Sequence, residues 1–296
     1  MISQSANLPG TRSQGPEIPI VKGIEQLVEG IDALICDIWG VVHNGIAAFP
    51  DAVDACSRFR ARGGTVLLLT NAPRPAAAID LQLEKLGVPR NAFDAVLTSG
   101  DLTRLEIAAR SHKPIAHIGP ERDLGLFDGQ NVTLGSLAEA CTIVCSGLFD
   151  DERESAGDYR QRLLEPARRG VPMICANPDL TVARGDRIIE CAGAVAKLYE
   201  ELGGPVIYAG KPYAPVYERA FEMITAIRGA PVAHERILAI GDGVLTDIKG
   251  ATNMGLNVVF VASPVHLDVP LDAGSLLSLF PDDRPRPLAA LGALAW

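Results

Sequence analysis

Short apolar runs alternate with helical patterns along most of this chain, and the alternation limits the folds open to it. The first section reads as strand, helix, strand, helix and strand over residues 34–38, 52–62, 66–70, 76–86 and 95–98. Strands separated by helices require crossover connections, which favour a mainly parallel sheet with helices on its faces. The pattern returns over residues 114–176 and 206–261. The sequence therefore predicts an α/β fold throughout.

Length and charge narrow the classes of protein further. A chain of 296 residues is long for one hydrophobic core and predicts two domains. The formal charge of −9, without a lysine-rich run, argues against binding to nucleic acid. The first 20 residues hold no apolar leader and no run is long enough to span a membrane, so we expect a cytoplasmic protein without a membrane partner. The six cysteines lack CxxC spacing and predict reduced, buried thiols.

The most informative strand is residues 33–38, an apolar run that reaches Asp37 and then turns through Gly40. The carboxyl ends of parallel strands are where such sheets place ligands and reacting groups. Asp37 is therefore a candidate nucleophile. The alternative is a solvated carboxylate that only caps the next turn.

Two later strands also end in polar residues. After residues 66–69 come Thr70 and Asn71, which with the following amides can hold an anion at a helix N-terminus or can simply cap that helix. After residues 206–209 comes Gly210-Lys211-Pro212, a turn that would aim the Lys211 ammonium at a phosphoryl oxygen. The alternative for Lys211 is an ordinary solvated loop position.

A fourth strand runs into Gly241-Asp242-Gly243, and Asp247 follows five residues after Asp242. Two carboxylates at one strand end suit Mg²⁺, which prefers oxygen ligands and is commonly held by one or two acids and a substrate phosphate. Alternatively, Asp247 is an acid that stabilises a helix N-terminus.

The ordered set of Asp, Thr-Asn, Lys and Gly-Asp-x₄-Asp resembles the haloacid dehalogenase-like (HAD) hydrolase superfamily over about residues 33–261. The long insertion with Cys175-Ala176-Asn177-Pro178-Asp179 resembles its class IIA, NagD-like and p-nitrophenyl-phosphatase-like branch. The resemblance implies a three-layer, parallel-sheet, Rossmann-like core built from residues 21–100 and 204–296. An α/β cap would be inserted at 101–203, and residues 1–20 would form a loose tail.

The resemblance also implies a role for each motif. Asp37 would take the phosphoryl group as an aspartyl-phosphate, while Thr70 and Asn71 bind its oxygens and Lys211 neutralises charge. The cofactor would be Mg²⁺, held by Asp37, the backbone carbonyl of Trp39, Asp242 and Asp247. The substrate would be a small phosphorylated metabolite such as a sugar phosphate. A homo-oligomeric assembly is possible.

Trp39 departs from the family pattern, which has a second aspartate two residues after the nucleophile. Indole cannot act as the general acid and base, a role typically worth about 10²- to 10⁴-fold in rate. His43 is a candidate substitute by its titration range, or else a structural loop histidine. The alternatives to a phosphatase are a catalytically impaired protein that binds a phosphorylated ligand and a carbon–halogen hydrolase, although Asp242 and Asp247 favour phosphoester chemistry.

In the cap, Asn177, Asp179 and Arg184 follow a predicted strand at residues 172–176. A cap of this kind closes over the catalytic face and excludes water during phosphoryl transfer. We therefore expect these three residues to contact substrate. The alternative is that Asn177-Pro178-Asp179 forms an ordinary turn.

Overall fold

The computed structural model describes residues 17–110, 113–184, 187–263 and 270–296. Most of the predicted tail at 1–20 therefore lies outside the described residues. The strands of the described part are β1 Ala33–Asp37, β2 Thr65–Thr70, β3 Ala95–Thr98, β4 Pro114–Ile118, β5 Thr133–Leu134, β6 Thr142–Cys145, β7 Met173–Cys175, β8 Thr181–Arg184, β9 Arg187–Glu190, β10 Val206–Tyr208, β11 Ile237–Gly241, β12 Asn257–Val261 and β13 Ala289–Leu291.

The α-helices of the same part are α1 Pro50–Ala61, α2 Ala76–Lys85, α3 Ser99–Ala108, α4 Arg160–Arg168, α5 Ala192–Glu201, α6 Ala214–Arg228, α7 Lys249–Asn253 and α8 Ala273–Leu279. Short 3₁₀ turns cover Arg90–Ala92, Glu121–Phe127, Ala156–Tyr159 and His234–Arg236, and a π-helical turn covers Val244–Ile248. No helix within these described ranges is long and apolar enough to cross a membrane.

Six of the strands form one sheet in the order β13-β12-β11-β1-β2-β3, and every pairing in it is parallel. Five others form a second parallel sheet in the order β10-β7-β6-β4-β5. The β8 and β9 strands make a separate antiparallel hairpin. These pairings confirm the predicted α/β fold with parallel sheets.

The first sheet is covered by helices on both faces, which gives the three predicted layers. Successive residues of β1 point to opposite sides: Ile35 packs in the core cluster that contains Tyr217 of α6, and Leu34 packs in the cluster that contains Phe59 of α1. Because neither face meets solvent, all five residues of β1 are buried. The continuous apolar run in the sequence has this physical cause.

The second sheet has its own core, in which Met173 and Cys175 of β7 pack with Leu163 of α4 and Tyr199 of α5. Its strand β10 comes after residue 203, and Lys211 follows three residues after β10 where the chain returns toward the first sheet. The division into a core at 21–100 and 204–296 and a cap at 101–203 stays a prediction.

All six cysteines are free thiols, as predicted. Five of them are buried, but Cys141 is exposed. The prediction of burial is wrong for Cys141 because this residue precedes β6 and lies outside the core of the second sheet.

Candidate active site

Lys211 joins two of the predicted acids directly. Its Nζ donates to Asp37 Oδ1 at 2.6 Å, to Asp247 Oδ1 at 2.7 Å and to the Leu69 carbonyl at 3.2 Å. Lys211 is 3% exposed, so the solvated-loop alternative is wrong. Asp37 is also buried at the end of β1, which excludes a solvated capping carboxylate. Residues 174 positions apart therefore meet at one sheet edge.

Asp242 completes a cluster of three buried acids. One carboxylate oxygen from each of Asp37, Asp242 and Asp247 lies within 4.8 Å of the other two. Two glycines permit this approach, because a Cβ at Gly40 would overlap the Asp242 carboxylate and a Cβ at Gly241 would overlap Asp247. Three carboxylates against one ammonium leave two negative charges, and this arrangement suits a divalent cation.

Burial and close contact shift the pKa values of these charged groups. Burial raises the pKa of Asp37 from 3.8 to about 7, where Lys211 opposes the rise and Asp247 adds to it. Burial, followed by repulsion from Asp37 and Asp247, raises the pKa of Asp242 to about 9. For Lys211, burial disfavours the ammonium, but the carboxylates outweigh it and raise its pKa. The charges that stabilise Lys211 thus destabilise one another.

Asp247 lies in the π-helical turn rather than in a regular helix start. Its Oδ2 accepts from the Gly243 amide at 3.2 Å while Oδ1 faces Lys211. The alternative of an acid that only stabilises a helix N-terminus therefore does not account for its contacts. Regular α-helix begins only at Lys249.

Thr70 and Asn71 lie beside the acids but act differently from each other. Thr70 Oγ1 accepts from the Ala72 amide at 3.2 Å, and α2 begins six residues later without a side-chain cap, so Thr70 is not its N-cap. Asn71 Oδ1 accepts from the Lys211 amide at 2.8 Å, and Asn71 Nδ2 donates to the Lys211 carbonyl at 3.0 Å. Asn71 therefore orients the Lys211 backbone.

Trp39 stands at the rim of the site with its ring packed on the following loop. A Cβ at Gly45 would overlap this ring, and the His43 ring meets it edge-on with centroids 5.5 Å apart. His43 is buried, its Nδ1 accepts from the Gly45 amide at 2.9 Å, and burial lowers its pKa to about 4. These contacts are those of a structural loop histidine, and the catalytic role for His43 stays a prediction.

The structure brings Asp179 to the site but gives Asn177 a local task. Asn71 Nδ2 donates to Asp179 Oδ1 at 2.9 Å. Asn177 Oδ1 accepts from the Asp179 amide at 3.0 Å and so closes the turn that was the alternative interpretation. The side chain of Arg184 lies outside the described residues. A substrate contact therefore has structural support only for Asp179.

These groups surround a cavity of about 650 Å³ between the two sheets. Its outer part holds residues that the sequence analysis did not identify, including Tyr208 and Tyr213, whose rings stack at 4.3 Å. Lys197, Glu200 and Arg284 also line it. Nothing in their local sequence marks them, because helix α5, the segment after β10 and the C-terminal segment meet only in the folded chain.

Known proteins provide a comparison for this geometry. A family model described as haloacid dehalogenase-like hydrolase matches residues 34–133, and one described as HAD-hydrolase-like matches residues 208–281. A haloacid dehalogenase-like hydrolase from Brucella suis 1330 is 49% identical, with a TM-score of 0.79 over 83% of this chain and 94% of that one.

Two less similar structures share the fold. A 4-nitrophenylphosphatase from Thermotoga maritima is 20% identical, with a TM-score of 0.68 over 90% of this chain and 96% of that one. A glycerol phosphate phosphatase from Mycobacterium tuberculosis in complex with magnesium is 23% identical, with a TM-score of 0.66 over 92% and 77%. Because 49% of its aligned residues are identical to those of the Brucella hydrolase and its acids lie at the same sheet edge as Lys211, the chain belongs to the haloacid dehalogenase-like hydrolases and has the fold of their NagD and p-nitrophenylphosphatase branch.

Proposed function

We propose that this hydrolase is a Mg²⁺-dependent phosphatase of small phosphoesters, such as sugar phosphates, that works through an aspartyl-phosphate on Asp37. The observation that carries the proposal is the buried contact of Lys211 with both Asp37 and Asp247, beside Asp242 and at the floor of an open cavity. The glycerol phosphate substrate named for the Mycobacterium relative supports a small phosphoester here.

The donor set fits magnesium. Asp37, Asp242 and Asp247 offer clustered carboxylate oxygens, and Mg²⁺ prefers such hard ligands together with water and substrate phosphate. These three residues would hold the ion, together with the backbone carbonyl of Trp39. A bound Mg²⁺ supplies positive charge that stabilises the phosphoryl oxygens during transfer.

The remaining chemistry falls to the chain's own residues. One oxygen of Asp37 forms the new bond to phosphorus while the bond from phosphorus to the leaving oxygen breaks, and water later hydrolyses the aspartyl-phosphate. Lys211 neutralises charge on Asp37 and on the phosphoryl group, while Thr70 and Asn71, at the end of β2, bind the phosphoryl oxygens. Phosphoryl transfer depends mainly on such positioning and charge stabilisation.

Trp39 supports a second candidate function. Because indole does not transfer protons, the chain can retain an anion and metal site and yet act only as a phosphate-ligand binding protein. This alternative requires binding of Mg²⁺ and a phosphoester without turnover.

A cytoplasmic location and a homo-oligomeric state stay predictions.

The test is phosphate release from p-nitrophenyl phosphate and a panel of sugar phosphates, with Mg²⁺ and with EDTA. The wild type should turn over only with Mg²⁺, and Asp37→Asn should abolish turnover while melting normally. Asp51→Asn, which makes the same change at an exposed helix position, is the control. Tight Mg²⁺ and phosphoester binding by a wild type that releases no phosphate would establish the binding protein instead, and activity that appears only in Trp39→Asp would support that result.

A further inference from the structure

The proposed phosphatase reaction, on which this inference rests, needs a group that moves protons. The leaving oxygen requires a proton as its bond to phosphorus breaks, and the attacking water must lose one. Trp39 supplies neither. Among the described cavity residues, the carboxylic acids outside the metal cluster are Asp179 and Glu200. Glu200 is exposed and accepts from the Tyr208 hydroxyl at 2.8 Å, which leaves Asp179 as the stronger candidate.

Asn71 holds the Asp179 side chain in one orientation. The Asn71 amide group cannot turn over, because its Oδ1 accepts from the Lys211 amide while its Nδ2 donates to the Lys211 carbonyl. The same Nδ2 donates to Asp179 Oδ1 at 2.9 Å. Asp179 is thus tied to the backbone of the residue whose ammonium contacts the nucleophile. Within the described residues, the hydrogen bond to this carboxyl is made at Oδ1, and Oδ2 accepts none.

The backbone around Asp179 is equally constrained. The Gly193 amide donates to the Asp179 carbonyl at 3.2 Å, and a Cβ at Gly193 would overlap the Pro178 and Asp179 carbonyls. A Cβ at Gly210 would overlap the side chains of Asn71 and Ser99 and press on Pro178. Two glycines therefore let the loop after β7 approach the site closely, as a positioned catalytic group requires.

The position of Asp179 in the fold also suits proton donation to the leaving oxygen. Asp37 attacks from the first sheet, and an in-line displacement sends the leaving oxygen away from the nucleophile. Asp179 follows β7 of the second sheet and lines the same cavity. Burial raises the pKa of its carboxyl, while Asn71 and Lys211 oppose the rise and Asp247 adds to it, and the net increase favours a carboxyl that can carry a proton. Lys197 and Glu200 of α5 face this cavity as well.

We propose that Asp179 is the general acid and base of this protein, in place of the acid that Trp39 cannot provide. In the first step the Asp179 carboxyl gives its proton to the leaving oxygen while Asp37 takes the phosphoryl group. In the second step the Asp179 carboxylate takes a proton from water, the water oxygen bonds to phosphorus, and the bond from Asp37 to phosphorus breaks. Phosphate leaves, and Asp179 ends protonated as it began.

The experiment compares wild type, Asp179→Asn, Asp179→Glu and the control Asp128→Asn, which alters an exposed acid outside the cavity. Substrates are p-nitrophenyl phosphate, with its good leaving group, and glycerol phosphate, with a poor one. Asp179→Asn keeps an acceptor for Asn71 and should lower turnover of glycerol phosphate by about 10²- to 10⁴-fold. With p-nitrophenyl phosphate the same variant should release a burst of one equivalent and then stall, with the phosphoryl group retained on the protein.

Asp179→Glu keeps the carboxyl and should recover part of the turnover together with the pH dependence of the wild type, which a merely structural role for Asp179 would not restore. Equal turnover of glycerol phosphate by Asp179→Asn and Asp128→Asn would overturn the assignment of Asp179 but would not contradict the proposed phosphatase function. If Asp179→Asn fails to melt cooperatively, Asp179→Glu is used for the test instead. A pH profile of Asp179→Glu unlike that of the wild type, or no recovery of turnover, would then overturn the assignment. A wild type without turnover would refute the phosphatase itself, and Asp179 with it.

Discussion

Removal of the Lys211 charge should destabilise the metal-free protein strongly. Lys211→Met keeps most of the side-chain length but leaves the carboxylates of Asp37 and Asp247 without the ammonium that now lies 2.6 and 2.7 Å away. Loss of one partner from a buried ion pair typically costs about 3–5 kcal/mol, because an uncompensated charge stays in the interior. At about pH 8 we expect a loss of this size in the free energy of unfolding.

The pH dependence of that loss identifies its cause. Burial already raises the pKa of Asp37 to about 7, and without Lys211 it rises further. A group whose pKa is higher in the folded than in the unfolded protein contributes stability below its unfolded pKa. This contribution is lost as the pH rises through the folded pKa. At about pH 5 Asp37 of the variant holds a proton, so the loss should be smaller there.

Urea unfolding in EDTA, followed by circular dichroism at both pH values, measures these quantities. The control is Lys85→Met, which removes an exposed lysine at the end of α2 and should change stability by less than about 0.5 kcal/mol. Added Mg²⁺ should stabilise Lys211→Met more than wild type, since it returns positive charge to the cluster. A loss below about 1 kcal/mol, or an equal loss at both pH values, would refute the reasoning.

Three further predictions test other parts of the structure. Asp242→Asn should weaken Mg²⁺ binding by about tenfold or more in calorimetry, because it removes one of three clustered carboxylates, and unchanged affinity would exclude Asp242 as a ligand. Burial lowers the pKa of His117 from 6.5 to about 4, so wild-type stability should fall as the pH drops through this interval. The fall should be shallower for His117→Gln in urea unfolding, and parallel curves would contradict it. Gly193→Ala should cost about 1–3 kcal/mol and lower turnover, whereas Gly135→Ala, where a Cβ has space, should do neither in melting and activity assays.

The parts of the fold that the sequence predicted well are those with one dominant physical cause. Strands buried on both faces, such as β1 and β12, show as continuous apolar runs, and a parallel sheet places the residues at their ends along one edge. Asp37 and Lys211 are 174 positions apart, yet both follow strands and their meeting could be anticipated. The meeting of these charged groups at the floor of the site could therefore be predicted from the sequence.

The elements that were missed have weaker local signals. Helix α5 begins with Ala192-Gly193-Ala194, and a start of small residues that includes a glycine is a weak helix signal. Helix α3 begins with Ser99-Gly100, which looks like a loop, although Thr98 and Asp101 form a capping box. The β8–β9 hairpin is short and partly exposed. Because the outer cavity is built largely from such elements, its lining could not be predicted.

Trp39 is integrated into its loop by packing, and the proposed mechanism takes its proton from another residue because indole does not transfer one. Its ring occupies the space above Gly45 and meets His43, and Gly45 has a φ of 85°, a conformation that suits glycine. An aspartate at position 39 would leave that space unfilled, so the Trp39 ring is part of the packing of this loop. The cavity carboxyl that Asn71 holds, that of Asp179, comes from the loop after β7 of the second sheet. The proposed mechanism requires Asp37 and Asp179 to reach one phosphoester, which depends on the separation of the two sheets, and Asn71 links them through its hydrogen bonds to both Lys211 and Asp179. In this arrangement catalysis depends on the junction between the sheets as much as on the acids themselves.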